Sequence, residues 1–189
     1  MNRQHGLPRS DGGSPVGVTV EEASNFSREE FVARFGDVYE HSPWVAEGAW
    51  HERPFCSLSE LHGAMERAVN AASDERKMEL IRAHPDLAGK AAVAGELTPE
   101  SEREQASAGL NRLSPEEYEA FTGMNRSYQE KFDMPLIFCV REHTKESILK
   151  GAEERLANAR EEEIETALAE ISKIARLRLG DLVEEGGKR

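Results

Sequence analysis

His84 is the side chain in this sequence that is best suited to proton transfer, because of the residues around it. It ends an amphipathic segment and precedes Pro85, and a residue before proline is displaced from the α-helical region. We therefore predict that His84 lies at a helix end, beside the small-residue turn Asp86-Leu87-Ala88-Gly89. An imidazole at such a bend can act as a general acid or base near neutral pH. A lone histidine in a turn is more often structural, so this hypothesis depends on other groups converging there.

A polar helix is predicted downstream, from Pro99 to Ala108, and it contains no large apolar side chain. It places Ser101, Glu104 and Gln105 on one face, because they are three and four residues apart. A helix without an apolar face either stands in solvent or lines a polar cleft. From composition alone, the solvated helix is favoured.

Arg178 lies on the apolar stripe of the last predicted helix, between Ala175 and Leu182. An arginine on an inward face either extends its charged end to solvent, which is the commoner outcome, or pairs with an anion. The planar guanidinium suits a carboxylate. Pairing would supply the local cation that an anionic ligand needs in a chain whose formal net charge is -12.

A short apolar run from Leu136 to Val140 interrupts the helical pattern and reads as extended chain. Such a run among helices is most often core. It could also expose backbone N–H and C=O groups to a ligand, because no strand partner for them is visible in the sequence.

Composition limits the class of protein. The 189 residues are enough for one domain with a sizeable core, and the net charge disfavours nucleic-acid or anionic-membrane partners. The apolar runs are too short to cross a bilayer. Cys56 and Cys139 are far apart, which suits free thiols in a reducing compartment, so a cytoplasmic protein is expected. No metal site is predicted, because the histidines share neither a helix face nor a zinc-ligand spacing.

Helix start and stop signals, such as Ser27 with Glu30 and Ser114 with Glu117, are dense from Phe26 to Val183, and no alternation is long enough for a sheet. The prediction is therefore an all-α fold, one domain with a bundle-like packing of about eight helices. Residues 1–22, rich in Gly, Pro, Ser and Arg, are predicted to be a disordered arm. Residues 23–185 are predicted to form the helical domain.

Two motifs together resemble the OHCU decarboxylase family, where OHCU is 2-oxo-4-hydroxy-4-carboxy-5-ureidoimidazoline. The first motif is His84-Pro85-Asp86-Leu87-Ala88-Gly89, and the second is Leu97-Thr98-Pro99-Glu100-Ser101 followed by Glu104-Gln105. Either motif alone is weak, and the two joined are specific. The resemblance extends over roughly Phe26 to Val183.

The resemblance implies an all-α homodimer that converts OHCU, a small anionic ureide, to (S)-allantoin in urate degradation without metal or organic cofactor. It implies that His84 handles the catalytic proton, either taking it from the 4-hydroxyl or delivering it to the ring carbon. Glu104 would hold the imidazole or a ring N–H, and Arg178 a substrate anion or carbonyl. The residues that it places in the substrate site are Pro85, Ser101, Glu104, Gln105, Leu136, Ile137, Phe138, Cys139, Val140 and Arg178.

The sequence departs from the family pattern after the long helix that ends near Phe132. Where the family commonly has Phe-Gly-Phe-Pro-Phe, this chain has Phe132-Asp133-Met134-Pro135-Leu136. Because this position shapes the ligand loop, a different substrate fit is expected. Two alternatives therefore stay open: a divergent lyase for a related ureido acid, and a non-catalytic helical interaction domain.

Overall fold

The computed structural model describes residues 17–184, and these residues form a mostly helical domain. The first six α-helices are α1 (Val20–Asn25), α2 (Arg28–Phe35), α3 (Trp44–Trp50), α4 (Leu58–Asn70), α5 (Asp74–Ala83) and α6 (Lys90–Ala94). Four more follow: α7 (Pro99–Ser107), α8 (Pro115–Phe132), α9 (Lys145–Arg155) and α10 (Arg160–Leu182). A 3-10 helix, Val140–Glu142, precedes α9. The predicted all-α fold is confirmed, with ten α-helices in the described residues rather than about eight, and the short α1 and α6 account for the difference.

The described residues also contain one strand pair that the sequence did not predict. Strand β1 (Val18–Thr19) pairs in parallel with β2 (Val183–Glu184), with Val18 opposite Val183. Two residues per strand are too few to leave an alternating pattern in the sequence. The pair joins the beginning of the described chain to the end of α10.

The predicted N-terminal arm, residues 1–22, falls mostly outside the described residues. Residues 1–16 are not described, and residues 18–22 form β1 and the first turn of α1. The boundary between arm and domain at residue 23 stays a prediction.

Helix ends follow local capping chemistry, as the sequence predicts. Ser27 with Glu30 and Ser114 with Glu117 form complete capping boxes, in which each side chain binds the other residue's backbone N–H. The core extends through the contacts of α3 with α2 and α4, of α10 with α4 and α5, and of α8 with α9. Its largest fully buried side chains are Phe31, Phe35, Leu61, Met65, Leu80, Ile81, Phe121, Tyr128, Phe132, Met134, Leu136 and Ile148.

Helix α10 carries three charged residues into this interior: Glu163, Glu170 and Arg178. Burying a charge is costly unless it is paired and hydrogen-bonded. Glu170 and Arg178 have partners on the segments that surround one cavity, so α10 organises the site described next. None of the helices in residues 17–184 combines the length and apolar character that a membrane crossing needs.

Candidate active site

Helix α5 delivers His84 to the site, and the proline bend acts as predicted. His84 is the C-cap of α5, with extended dihedrals of φ -78° and ψ 138°. Its ring is buried, and Nδ1 lies 2.9 Å from the carbonyl oxygen of Leu80, one turn back on the same helix. A carbonyl can only accept, so Nδ1 carries the proton and Nε2 of the neutral ring keeps its lone pair. Burial lowers the pKa of His84 to about 4, so the imidazole is neutral at pH 7.

The turn after His84 is tied to α7 by the amide of Gln105. Its Oε1 accepts the Ala88 N–H at 2.9 Å, and its Nε2 donates to the Asp86 carbonyl at 3.4 Å. Gly89 closes the turn tightly, since an added Cβ would come within 2.6 Å of Asp86 Cβ. Gln105 therefore joins the two sequence motifs physically, which explains why they occur together.

Helix α7 lines a cleft, and the solvated helix favoured by composition is wrong. Ser101 and Gln105 are buried, and α7 packs against the 3-10 helix at Val140–Glu142. This face is buried by hydrogen bonds rather than by apolar surface, which a hydrophobic pattern cannot reveal.

Arg178 is paired with anions and does not extend to solvent. Its side chain is 4% exposed. Nε and Nη2 donate to the two oxygens of Glu104 at 2.8 and 2.7 Å, and Nη1 donates to Glu40 at 2.8 Å. Nη2 also donates to Ser101 Oγ at 3.2 Å. Burial alone would lower the pKa of Arg178, but hydrogen bonds and attraction from Glu104 raise it, so the guanidinium stays charged.

Glu40 is a charged residue of the site that the sequence did not predict. It is 2% exposed, and besides Arg178 it accepts hydrogen bonds from Thr98 Oγ1 at 2.7 Å and Ser101 Oγ at 3.0 Å. Burial would raise the pKa of Glu40, but Arg178 and Thr98 hold it below its usual value. Glu40 lies in the connection between α2 and α3, where no periodic pattern distinguishes a buried carboxylate from a solvated one.

One cavity brings most of the predicted site residues together. It has a volume of about 30 Å³ and opens to solvent between α5, α7, α10 and the run after α8. Its lining residues are His84, Pro85, Leu87, Ser101, Glu104, Gln105, Leu136, Ile137, Phe138, Val140, Ile174 and Arg178. Of the predicted residues only Cys139 is not in this lining, and Leu87 and Ile174 are additions.

The apolar run contributes side chains to the cavity, but part of its backbone is already bound by protein groups. The Cys139 N–H donates to Glu170 Oε2 at 2.7 Å, and the Ile137 carbonyl accepts from Arg155 Nη1 at 2.7 Å. The Cys139 N–H is therefore not open to a ligand, whereas the Ile137 carbonyl keeps a second lone pair that a ligand can use. Cys139 is buried outside the cavity lining, and burial raises the pKa of its thiol to about 12.

A second, larger cavity of about 490 Å³ also has Glu104 and Arg178 in its lining, so this pair borders both cavities. No group of three or more His, Cys, Asp or Glu in residues 17–184 is arranged to hold a metal ion.

The family model described as OHCU decarboxylase matches residues 24–180. The chain belongs to the OHCU decarboxylase family. It is 45% identical to the 2-oxo-4-hydroxy-4-carboxy-5-ureidoimidazoline decarboxylase of Halalkalicoccus jeotgali over 165 residues, which cover 87% of this chain and 92% of that one. It is 43% identical to the enzyme of the same name from Haloferax volcanii over 164 residues, covering 87% and 95% of the two chains.

Two solved structures share the fold. A crystal structure of (S)-allantoin synthase has a TM-score of 0.71 at 30% identity, covering 88% of this chain and 54% of that one. A crystal structure of OHCU decarboxylase in the presence of (S)-allantoin has a TM-score of 0.62 at 23% identity, covering 83% and 98%. At that identity the second match supports the fold alone.

The departures from the OHCU decarboxylase pattern differ in where they lie. Asp133 is the C-cap of α8 in the left-handed conformation, at φ 57°, and its side chain is 69% exposed and paired with Arg82. Aspartate tolerates this conformation better than most residues, so it can replace a glycine. Met134 is buried outside the cavity lining, whereas Leu136 lines the cavity. Only Leu136 is therefore placed to alter substrate fit directly.

Proposed function

We propose that this protein is a carboxy-lyase that converts OHCU to (S)-allantoin in urate degradation. The observation that carries the proposal is the arrangement of His84, Glu104 and Arg178 around one small cavity, in a chain of the OHCU decarboxylase family. The cavity combines apolar walls with a few convergent polar groups, as small-molecule sites do.

The substrate supplies its own electron sink, so the chemistry asks little of the protein beyond placement and one proton. OHCU has a ring C=N beside the carboxylated carbon. When the C–C bond to the carboxylate breaks, carbon dioxide leaves and the electron pair moves into this C=N, whose nitrogen takes up the proton that the reaction consumes. Many enzymes recruit a cofactor for such a sink. Here the site must orient the carboxylate, exclude water and direct protonation.

His84 acts as the base in this proposal. With Nδ1 donating to Leu80, Nε2 is the nitrogen left for substrate, and the low pKa keeps it unprotonated at neutral pH. We propose that Nε2 takes the 4-hydroxyl proton and delivers it to the adjoining ring carbon, which leaves a carbonyl at the former hydroxyl position. Transfer by one fixed imidazole to one face gives a single enantiomer.

Glu104 and Arg178 exchange partners when substrate binds, in this proposal. All five guanidinium N–H groups have acceptors within the protein, so a substrate carboxylate must displace one of them. Glu40 is held by Thr98 and Ser101 as well, whereas within residues 17–184 the hydrogen bonds to the Glu104 carboxylate come from Arg178. Glu104 is therefore the group that moves, and its freed oxygens can accept a ring or ureido N–H.

We further propose that the protein is a cytoplasmic homodimer. The two free cysteines suit a reducing compartment. In residues 17–184 the large hydrophobic side chains with the most exposed surface are Val93 and Tyr118, at 72% and 39%, and both line one groove beside Leu97 and Leu113. A second copy covering this groove would remove apolar surface from water.

Light scattering of the wild type and of Val93→Asp tests whether the protein is a dimer through this groove. A dimer that Val93→Asp dissociates supports the proposal, and a wild-type monomer contradicts it.

The experiment for the activity uses freshly generated OHCU. We expect the protein to accelerate loss of its ultraviolet absorbance and to produce the circular dichroism signal of (S)-allantoin, and His84→Asn to abolish most of the acceleration. Related ureido acids are assayed in parallel. A rate equal to that without protein contradicts the proposal, and faster turnover of another ureido acid would move the assignment to that substrate.

A further inference from the structure

Helix α9 contacts the apolar wall of the cavity, which is formed by Ile137 and Phe138. Ile137 and Phe138 lie in the irregular segment between α8 and the 3-10 helix, so their positions depend on side-chain contacts rather than on a helix or strand ladder. Both side chains line the cavity. Two residues of α9, Gly151 and Arg155, contact them on the side away from it.

Arg155 binds this wall at two points. Its Nη1 donates to the Ile137 carbonyl at 2.7 Å, and its guanidinium carbon lies 4.6 Å from the ring centroid of Phe138. The guanidinium is itself fixed by Glu163, whose Oε1 accepts from Nε at 3.0 Å and from Nη2 at 2.5 Å. Glu163 is fully buried and also accepts hydrogen bonds from Tyr128 and Asn158. Because Glu163 fixes the orientation of the guanidinium, Arg155 contacts Ile137 and Phe138 in a single geometry.

Gly151 sets how closely the Phe138 ring approaches α9. A Cβ added at Gly151 would lie 3.0 Å from Cζ and 3.3 Å from Cε1 of that ring. Ordinary carbon contacts are longer, so any side chain there pushes the ring away from α9. Because Phe138 lies between α9 and the cavity, the ring would move toward the cavity.

We propose that Gly151 and Arg155 are positioning residues that set the size of the substrate cavity through Phe138 and Ile137. The inference rests on the proposed function, since it takes this cavity as the OHCU site. Neither residue lines the cavity, so each acts through the wall.

The test compares Gly151→Ala with Gly123→Ala. Both glycines lie inside helices, so both changes gain the same helix propensity, but an added Cβ at Gly123 meets nothing within 4 Å. We expect Gly151→Ala to lower kcat/KM by about 10-fold, the low end of what one methylene changes in an apolar pocket. Most of the loss should be in KM, and the acid limb of the pH profile should not move, because His84 is untouched. Gly123→Ala should match the wild type.

A second variant keeps the inference testable if Gly151→Ala folds poorly. Arg155→Lys keeps a charge for Glu163 but loses the fork that also reaches Ile137, so KM should again rise more than kcat falls. Arg160→Lys, the same exchange on an exposed arginine, is its control. The shift in Tm on adding (S)-allantoin reports cavity binding without turnover, and it should shrink in both wall variants.

Two outcomes are distinguishable. If the wild type does not turn over OHCU, the proposed function fails. If the wild type is active and folded Gly151→Ala and Arg155→Lys keep wild-type KM and the full allantoin-induced Tm shift, the positioning role is contradicted.

Discussion

Arg178 and Glu104 meet fork to fork, with Nε and Nη2 of the guanidinium 2.8 and 2.7 Å from the two carboxylate oxygens. The pair joins α10 to α7 and lines both the small cavity beside His84 and the larger one. Glu40 holds the third nitrogen of the same guanidinium. The site therefore contains two carboxylates for one arginine.

Arg178→Lys should weaken substrate binding, because an ammonium cannot engage two carboxylates with the geometry of the fork. We expect KM to rise by about 10-fold or more, which corresponds to about 1.4 kcal/mol. Arg178→Met removes the charge altogether and should destabilise the fold by about 3–5 kcal/mol, since Glu40 and Glu104 would lose their buried partner. Kinetics on OHCU and urea unfolding measure the two effects. Unchanged KM in Arg178→Lys would remove Arg178 from substrate binding.

His84→Asn should lower kcat by about 10²–10⁴-fold, the usual contribution of a positioned acid–base group. The variant should fold, because an asparagine fills similar space at the helix end. In the wild type, activity should be flat near neutral pH and fall only as the pH drops toward about 4, where His84 becomes protonated. An acid limb near the ordinary histidine value would show that another group is the base.

Stability should also depend on His84. Its folded pKa of about 4 lies below the ordinary value of 6.5, so the unfolded chain binds more protons between these two values. The contribution of His84 is therefore fully present above pH 6.5 and is lost as the pH falls through 4, by up to about 3 kcal/mol. Urea unfolding from pH 4 to 7 measures the difference between wild type and His84→Asn. Parallel curves for the two proteins would contradict the low pKa.

Glu40→Gln and Glu104→Gln should differ in their pH profiles. The charge of Glu40 raises the pKa of His84, and removing it should move the acid limb to lower pH. Glu104 is not among the largest influences on the pKa of His84, so Glu104→Gln should lower turnover and move the limb less than Glu40→Gln does. The kcat/KM profiles of the two variants compare these roles. Equal shifts in both would mean that the carboxylates act as one unit.

Asp133→Gly and Leu136→Phe test which departure from the family pattern matters to substrate. Asp133 is exposed and bound to Arg82, so Asp133→Gly should leave KM unchanged and alter stability by less than about 1 kcal/mol. Leu136 is buried in the cavity wall, so Leu136→Phe should change KM while costing about 1–3 kcal/mol of stability by overpacking. A changed KM in Asp133→Gly alone would reverse this assignment.

Local chemistry made much of the fold predictable. The capping boxes at Ser27 and Ser114 and the bend at His84 depend on neighbours within four residues, and all three lie where the sequence predicts. Arg178 could be identified because a charge on an apolar stripe is unusual. Its partners could not be assigned, since Glu40 is 138 residues away and looks like any surface glutamate.

Because partners that are distant in the sequence cannot be assigned, the predictions for α7 and for the apolar run were also partly wrong. Helix α7 looked solvated because its buried face consists of hydroxyl and amide groups, which pair with atoms far along the chain. Glu170 and Arg155 occupy backbone groups of the apolar run that the sequence left open for a ligand. Both errors concern pairing at long range, which periodicity does not encode.

The small parallel pair of β1 and β2 has a consequence for the far end of the domain. Helix termini fray first, and Arg178 lies little more than one turn from the last residue of α10. Val183 and Glu184 continue directly from that end and are clamped by Val18 and Thr19. Deleting Val18 and Thr19 would therefore allow the end of α10 to fray. Arg178 would then hold Glu40 and Glu104 less firmly, although no residue of the cavity lining had been changed.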